Sequence, residues 1–168
     1  MAGGVRLTPL RPSDCDQQGD LQMQRPRILL ADDNSDVLSR VAEALTPRYE
    51  VVGSVANGCD LVSEAVRTDP DLIVLDVTLP LKDGIQALHE IRQLGLRAKA
   101  IFLTTHTRGL SVLACLANGA QGYILKSQMM THLGLAIETV LNGSTFATHL
   151  LPVDSAELPQ RSTSRAVG

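Results

Sequence analysis

The 168 residues are 44% hydrophobic and carry a formal net charge of -3, enough chain to close one ordinary hydrophobic core. A slightly acidic chain with 2% aromatic residues has neither the concentrated basic patch that holds a phosphate backbone nor the aromatic platforms on which bases stack, so no direct contact with nucleic acid is expected. No apolar stretch approaches the roughly 18–20 residues that cross a bilayer, and residues 1–20 lack the basic end and apolar run of a secretory signal; the chain is read as cytoplasmic, with no membrane partner.

Residues 1–26 carry Gly, Pro, Gln and Ser without periodicity and read as a flexible arm. From Arg27 short apolar runs alternate with amphipathic stretches. A first strand is expected over 27–31, followed by a helix over 35–45 whose stripe is Val37, Leu38, Val41, Ala42 and Leu45 and whose end is marked by Pro47. A second strand is expected over 50–55, then a helix opened by Asn57-Gly58 and closed near Asp69-Pro70. The apolar run 72–76 reads as a third strand; Asp83 or Gly84 starts a helix carrying Ile85, Leu88 and Ile91 and stopped at Gly95. A fourth strand over 98–103, a helix over 109–118, a fifth strand over 121–125 and a helix over 130–141 complete the alternation. This pattern predicts an α/β fold, a doubly wound five-stranded parallel sheet flanked by five helices, within a domain of residues 27–146; 147–168 read as a flexible tail. The three cysteines, Cys15, Cys59 and Cys115, are far apart and read as reduced thiols, the latter two as small fillers on helices.

The chemistry gathers at strand ends. Asp32-Asp33 follow the first strand, Asp76 closes the third, Thr104 follows the fourth and Lys126 follows the fifth. In a doubly wound sheet the carboxyl ends of the strands line the ligand crevice. A carboxylate at the mouth of a buried strand is costly to desolvate unless a cation meets it. Three acids, a hydroxyl and an amine converging there point to a carboxylate that accepts a phosphoryl group beside a divalent ion. Plainer readings exist for each: Asp32-Asp33 as a helix N-cap, Thr104 as a strand hydroxyl with Thr105 as a rival, Lys126 as a solvated charge. Asp83-Gly84 reads as a turn and helix start rather than a ligand.

On Asp32-Asp33, the run Asp76-x-x-x-Pro80-x-x-Asp83-Gly84, Thr104, and Gly119-Ala120-x-Gly122-Tyr123-x-x-Lys126, residues 27–143 resemble the receiver domains of two-component response regulators, whose fold is flavodoxin-like or CheY-like. The stretches 119–127 and 136–143 are most similar to the LuxR/NarL-like subfamily, usually fused to a helix-turn-helix domain. The resemblance implies that Asp76 is phosphorylated by a sensor histidine kinase, with Mg²⁺ held by Asp32, Asp33, Asp76 and the Thr78 carbonyl. Lys126 would pair with one phosphoryl oxygen and Thr104 would donate its hydroxyl to another, while Tyr123 swings into the space that Thr104 vacates. The face of the fourth helix, fifth strand and fifth helix would then meet a downstream output protein or domain, and a phosphorylation-dependent homodimer is left open. The ring of His106 would impede the water that hydrolyses the phosphoryl group. Such a domain is not an enzyme beyond Mg²⁺-dependent self-phosphorylation from a donor and autodephosphorylation. A phosphohydrolase would carry a second acid at the position of Thr78, and a phosphate-independent receiver would not keep this set of residues. The alternative is the receiver portion of a DNA-binding transcriptional regulator whose helix-turn-helix lies outside this chain.

Overall fold

The computed structural model describes residues 24–105, 115 and 117–148. In chain order the elements are β1 (Arg27–Ala31), α1 (Ser35–Leu45), β2 (Glu50–Val55), α2 (Gly58–Thr68), β3 (Leu72–Asp76), α3 (Gly84–Gln93), β4 (Lys99–Thr104) and β5 (Gly122–Leu125). A 3₁₀ turn (Lys126–Gln128) then leads into α4 (Met129–Leu141) and β6 (Phe146–Ala147). The sheet runs β2-β1-β3-β4-β5-β6 with every neighbouring pair parallel. The helix expected over 109–118 lies largely outside the described residues, of which Cys115 and Ala117 are helical.

The continuous apolar runs of β1, β3, β4 and β5 follow from burial on both faces, which is what separates a parallel, helix-covered sheet from an alternating one. Alternate residues divide between two cores. Leu29, Ile73, Leu75, Phe102 and Tyr123 pack beneath α2 and α3 against Leu61, Ala65, Leu88 and Ile91. Ile28, Leu30, Val74, Leu103 and Ile124 pack on the other face against Val41 and Leu45 of α1 and Leu133, Ile137 and Val140 of α4. β2, half-buried and kinked by a register shift opposite Ile28/Leu29, closes one edge of the sheet.

Helix ends are fixed by local chemistry. Asn34, Asn57 and Asp83 cap α1, α2 and α3 by accepting backbone N–H groups. At the opposite ends cations meet the free carbonyls: Arg27 Nη1 donates to Thr68 O at 2.6 Å, and Lys99 Nζ to Val140 O and Leu141 O at 2.8 and 2.7 Å. Chain order reverses at β1, with β2 on one side and β3 on the other, so the carboxyl ends of β1 and β3 open onto the crevice at the switch point.

The structure departs from the sequence reading at β4, at β6 and at Cys59, and β5 and α4 each begin one residue from the expected position, at Gly122 and Met129. β4 occupies 99–104 rather than 98–103, which makes Thr104 its last residue. A sixth strand follows α4, two residues long and therefore without any alternation to read in advance. Cys59 is exposed on α2 rather than a filler, whereas Cys115 is fully buried, and burial pushes its thiol up to about 12. Among the described residues no helix is long and apolar enough to cross a membrane.

Candidate functional site

The loop after β1 carries Asp32 and Asp33, with different fates. Asp32 is 2% exposed, its backbone N–H donating to Val55 O at 3.1 Å and its Oδ1 accepting from Asn34 N at 2.9 Å. Asp33 faces solvent. The cap of α1 is Asn34, whose Oδ1 accepts from Asp36 N and Val37 N, so neither acid is spent on the helix. Asp76, at the end of β3, is 7% exposed and holds Oδ1 on the backbone N–H of Thr78 at 3.3 Å. Carboxylate oxygens of Asp32, Asp33 and Asp76 lie within 4.8 Å of one another.

Lys126, one residue beyond β5, supplies the counter-charge. Its ammonium sits 2.7 Å from Asp32 Oδ2 and 2.7 Å from Asp76 Oδ2, with the side chain 14% exposed. Burial pushes this ammonium down, but the hydrogen bonds to Asp32 and Asp76 more than offset it and leave its pKa above that of a free lysine. One cation therefore bridges two carboxylates, and the third acid adds a negative charge that no ion pair balances among the described residues. Hard carboxylate oxygens with surplus negative charge suit Mg²⁺, which binds through few carboxylates and completes its shell with water and phosphate oxygens.

Asp83 and Gly84 fix the start of α3 against β3. Asp83 caps α3 through Gln86 N at 2.8 Å, and Gly84 N donates to Val77 O at 2.8 Å. A Cβ on Gly84 would lie 2.0 Å from the Asp76 carbonyl oxygen, so only glycine lets α3 begin against β3. The Asp-Gly pair is thus the turn and helix start that the sequence indicates.

Thr104 and Tyr123, both buried, come from adjacent strands and are joined by a side-chain hydrogen bond. Burial raises the Tyr123 phenol, the neighbouring Cys115 adds to the rise, and the Thr104 bond partly counters it. Sequence alone gives no sign of this bond: Thr104 pairs with Leu125 in the β4–β5 register, and the link depends on which way the ring turns. Thr78 is exposed at the crevice mouth, and His106 lies outside the described residues.

Residues 28–138 match the response regulator receiver domain family. The chain belongs to that family. It is 32% identical over 117 residues to the chemotaxis protein CheY of Bacillus subtilis (strain 168), covering 69% of this chain and 98% of that protein. The nitrate/nitrite response regulator protein NarL of Escherichia coli (strain K12) is 31% identical over 134 residues, 78% of this chain and 62% of NarL. BvgA of Bordetella pertussis (strain Tohama I / ATCC BAA-589 / NCTC 13251), a virulence factors putative positive transcription regulator, is 30% identical over 122 residues, with 58% of its length covered. A crystal structure of a LuxR-family two-component response regulator from Aurantimonas sp. SI85-9A1 superposes with a TM-score of 0.68 and 33% identity, over 72% of this chain and 88% of that one. The chain thus spans nearly all of the chemotaxis relative but about three-fifths of the two transcription regulators. This receiver domain is part of a two-component signalling family that works with histidine kinases and output domains, and that family is not one of catalytic enzymes.

Proposed function

We propose that Asp76 is the phosphoacceptor of this receiver domain and that Asp32, Asp33, Lys126, Thr104 and Tyr123 serve that one reaction and its readout. The carrying observation is the Lys126 ammonium, 2.7 Å from both Asp32 and Asp76, beside an acid cluster at the crevice. An oxygen of Asp76 forms a new bond to phosphorus while the bond to the leaving group, a kinase histidine nitrogen or the acetate oxygen of acetyl phosphate, breaks with its electron pair. Water attack at phosphorus later returns the carboxylate and inorganic phosphate. Mg²⁺, held by Asp32, Asp33, Asp76 and the Thr78 carbonyl, would neutralise charge on the phosphoryl oxygens. Lys126 exchanges its Asp76 contact for a phosphoryl oxygen, and Thr104 turns its hydroxyl toward another.

Because Thr104 is bonded to Tyr123, that turn biases the ring, and a phosphoryl group of about -1.5 to -2 charge shifts a pre-existing equilibrium on the partner face. His106 would slow hydrolysis, and His106→Ala would then shorten the phosphoryl lifetime. The setting is cytoplasmic, with a sensor histidine kinase as donor. A second reading, that this is the receiver portion of a DNA-binding transcriptional regulator, is favoured by the three-fifths coverage of NarL and BvgA. Incubation with acetyl phosphate and Mg²⁺ followed by intact-mass measurement tests the reaction. One phosphoryl group should be gained, and none by Asp76→Asn; a wild-type chain that gains none with or without Mg²⁺ contradicts the proposal.

A further inference from the structure

β5 would be the open edge of the sheet were it not for β6. Residues 146–148 return after α4 and lie parallel to it, Gly122 opposite Phe146 and Tyr123 opposite Ala147. Phe146 N donates to Gln121 O at 2.9 Å and Thr148 N to Tyr123 O at 3.1 Å. The ladder then ends in a different way: the N–H of Leu125 donates to the side-chain Oγ1 of Thr148 at 3.1 Å. The ring of Phe146 lies 6.1 Å from that of His132 on α4, which ties the strand to the helix as well.

The position of that last bond is what gives it meaning. Leu125 is the final residue of β5, and the next residue is Lys126, whose backbone turns at once into the 3₁₀ segment while its ammonium reaches Asp32 and Asp76. The Ile124–Leu125 peptide, one before the peptide that launches Lys126, is therefore held by the hydroxyl of Thr148, just past β6, while Leu125 itself stands in register with Thr104 of β4. Leu125 is 9% exposed, so without Thr148 its N–H would lose its acceptor in a largely water-free place.

We propose that Thr148 is a positioning residue for Lys126, and that β6 is a clasp coupling the chain beyond α4 to the phosphorylation site. This rests on the reading of Asp76 as phosphoacceptor with Lys126 as its phosphoryl partner. Coupling of this kind is reciprocal: if a docked β6 favours the phosphorylated site, phosphorylation tightens β6 by the same factor. The backbone of Tyr123, which accepts from Thr148 N, places the clasp on the same strand as the switch ring.

The test uses the full chain as wild type, Thr148→Val and Thr148→Ser, with backbone amide exchange followed at Leu125 and Thr148, and beryllofluoride with Mg²⁺ as the phosphoryl mimic. In the free protein Thr148→Val should exchange Leu125 roughly tenfold faster and bind beryllofluoride several-fold more weakly. Thr148→Ser, which keeps the hydroxyl, should restore both. In the wild type, beryllofluoride should slow exchange at Leu125 and Thr148, a readout that needs no variant. Unchanged exchange and affinity in Thr148→Val, or equal losses in the valine and serine variants, would overturn the clasp and leave β6 as an edge cover. A wild-type chain that binds no beryllofluoride and accepts no phosphoryl group would instead overturn the phosphoacceptor reading, and the coupling with it.

Discussion

The site is an assembly of charges that are poorly matched in isolation. Lys126 balances Asp32 and Asp76, while Asp33 adds a third carboxylate within 4.8 Å. Removing the cation should cost more than removing the surplus anion. Lys126→Met should lower stability by about 3 kcal/mol, because two carboxylates are left without their ion pair in a low-dielectric place; denaturant unfolding checks this, and Mg²⁺ should recover much of the loss. Asp33→Asn should do the opposite, raising stability by about 1 kcal/mol through relief of like-charge repulsion while abolishing the stabilisation expected from Mg²⁺ in the wild type. Thermal melts with and without Mg²⁺ decide between these outcomes. The acids and the lysine were legible in sequence because each directly follows an apolar run of strand length, so fold and site chemistry coincide at the same residues. The Thr104–Tyr123 hydrogen bond was not, since it depends on a ring orientation that packing chooses.

Elements position these residues through a few close approaches. Gly84 admits the start of α3 against the Asp76 carbonyl, where a Cβ would lie 2.0 Å away. Gly84→Ala should therefore push α3 from β3, cost about 2–3 kcal/mol by overpacking, and slow phosphorylation by displacing Asp76; urea titration and acetyl phosphate kinetics measure both effects. A variant that keeps wild-type stability would show that α3 shifts freely and that the contact positions nothing. Of the strands, β1, β2, β3 and β5 were readable nearly to the residue, since buried parallel strands show as bounded apolar runs. β6 was not, because two residues carry no period and their pairing depends on where α4 delivers the chain. The cap of α1 was misleading in the acids and plain in Asn34, the residue immediately before the helix.

At the scale of the molecule, the groups held neutral or paired in the folded chain set its response to pH. Cys115, pushed up to about 12 by burial, and Tyr49 and Tyr123, raised chiefly by burial, all favour the protonated form when folded. Lys126 is raised as well. A group with a raised folded pKa contributes fully below its unfolded value and loses that contribution as pH climbs through the folded one. Stability should thus begin to fall above pH about 9, where the unfolded thiol ionises, and steepen as the tyrosines and Lys126 follow. Denaturant midpoints from pH 7 to 11 check this, and Cys115→Ala should remove the earliest part of the decline; a midpoint that rises over this range would contradict it. What the site does rests on one event, transfer of the phosphoryl group to Asp76. Borohydride reduces an aspartyl phosphate to homoserine, so peptide mass mapping after acetyl phosphate, Mg²⁺ and borohydride locates the acceptor directly. Homoserine at position 76, and only when Mg²⁺ is supplied, is the predicted result; homoserine at Asp32 or Asp33, or none at all, would contradict it.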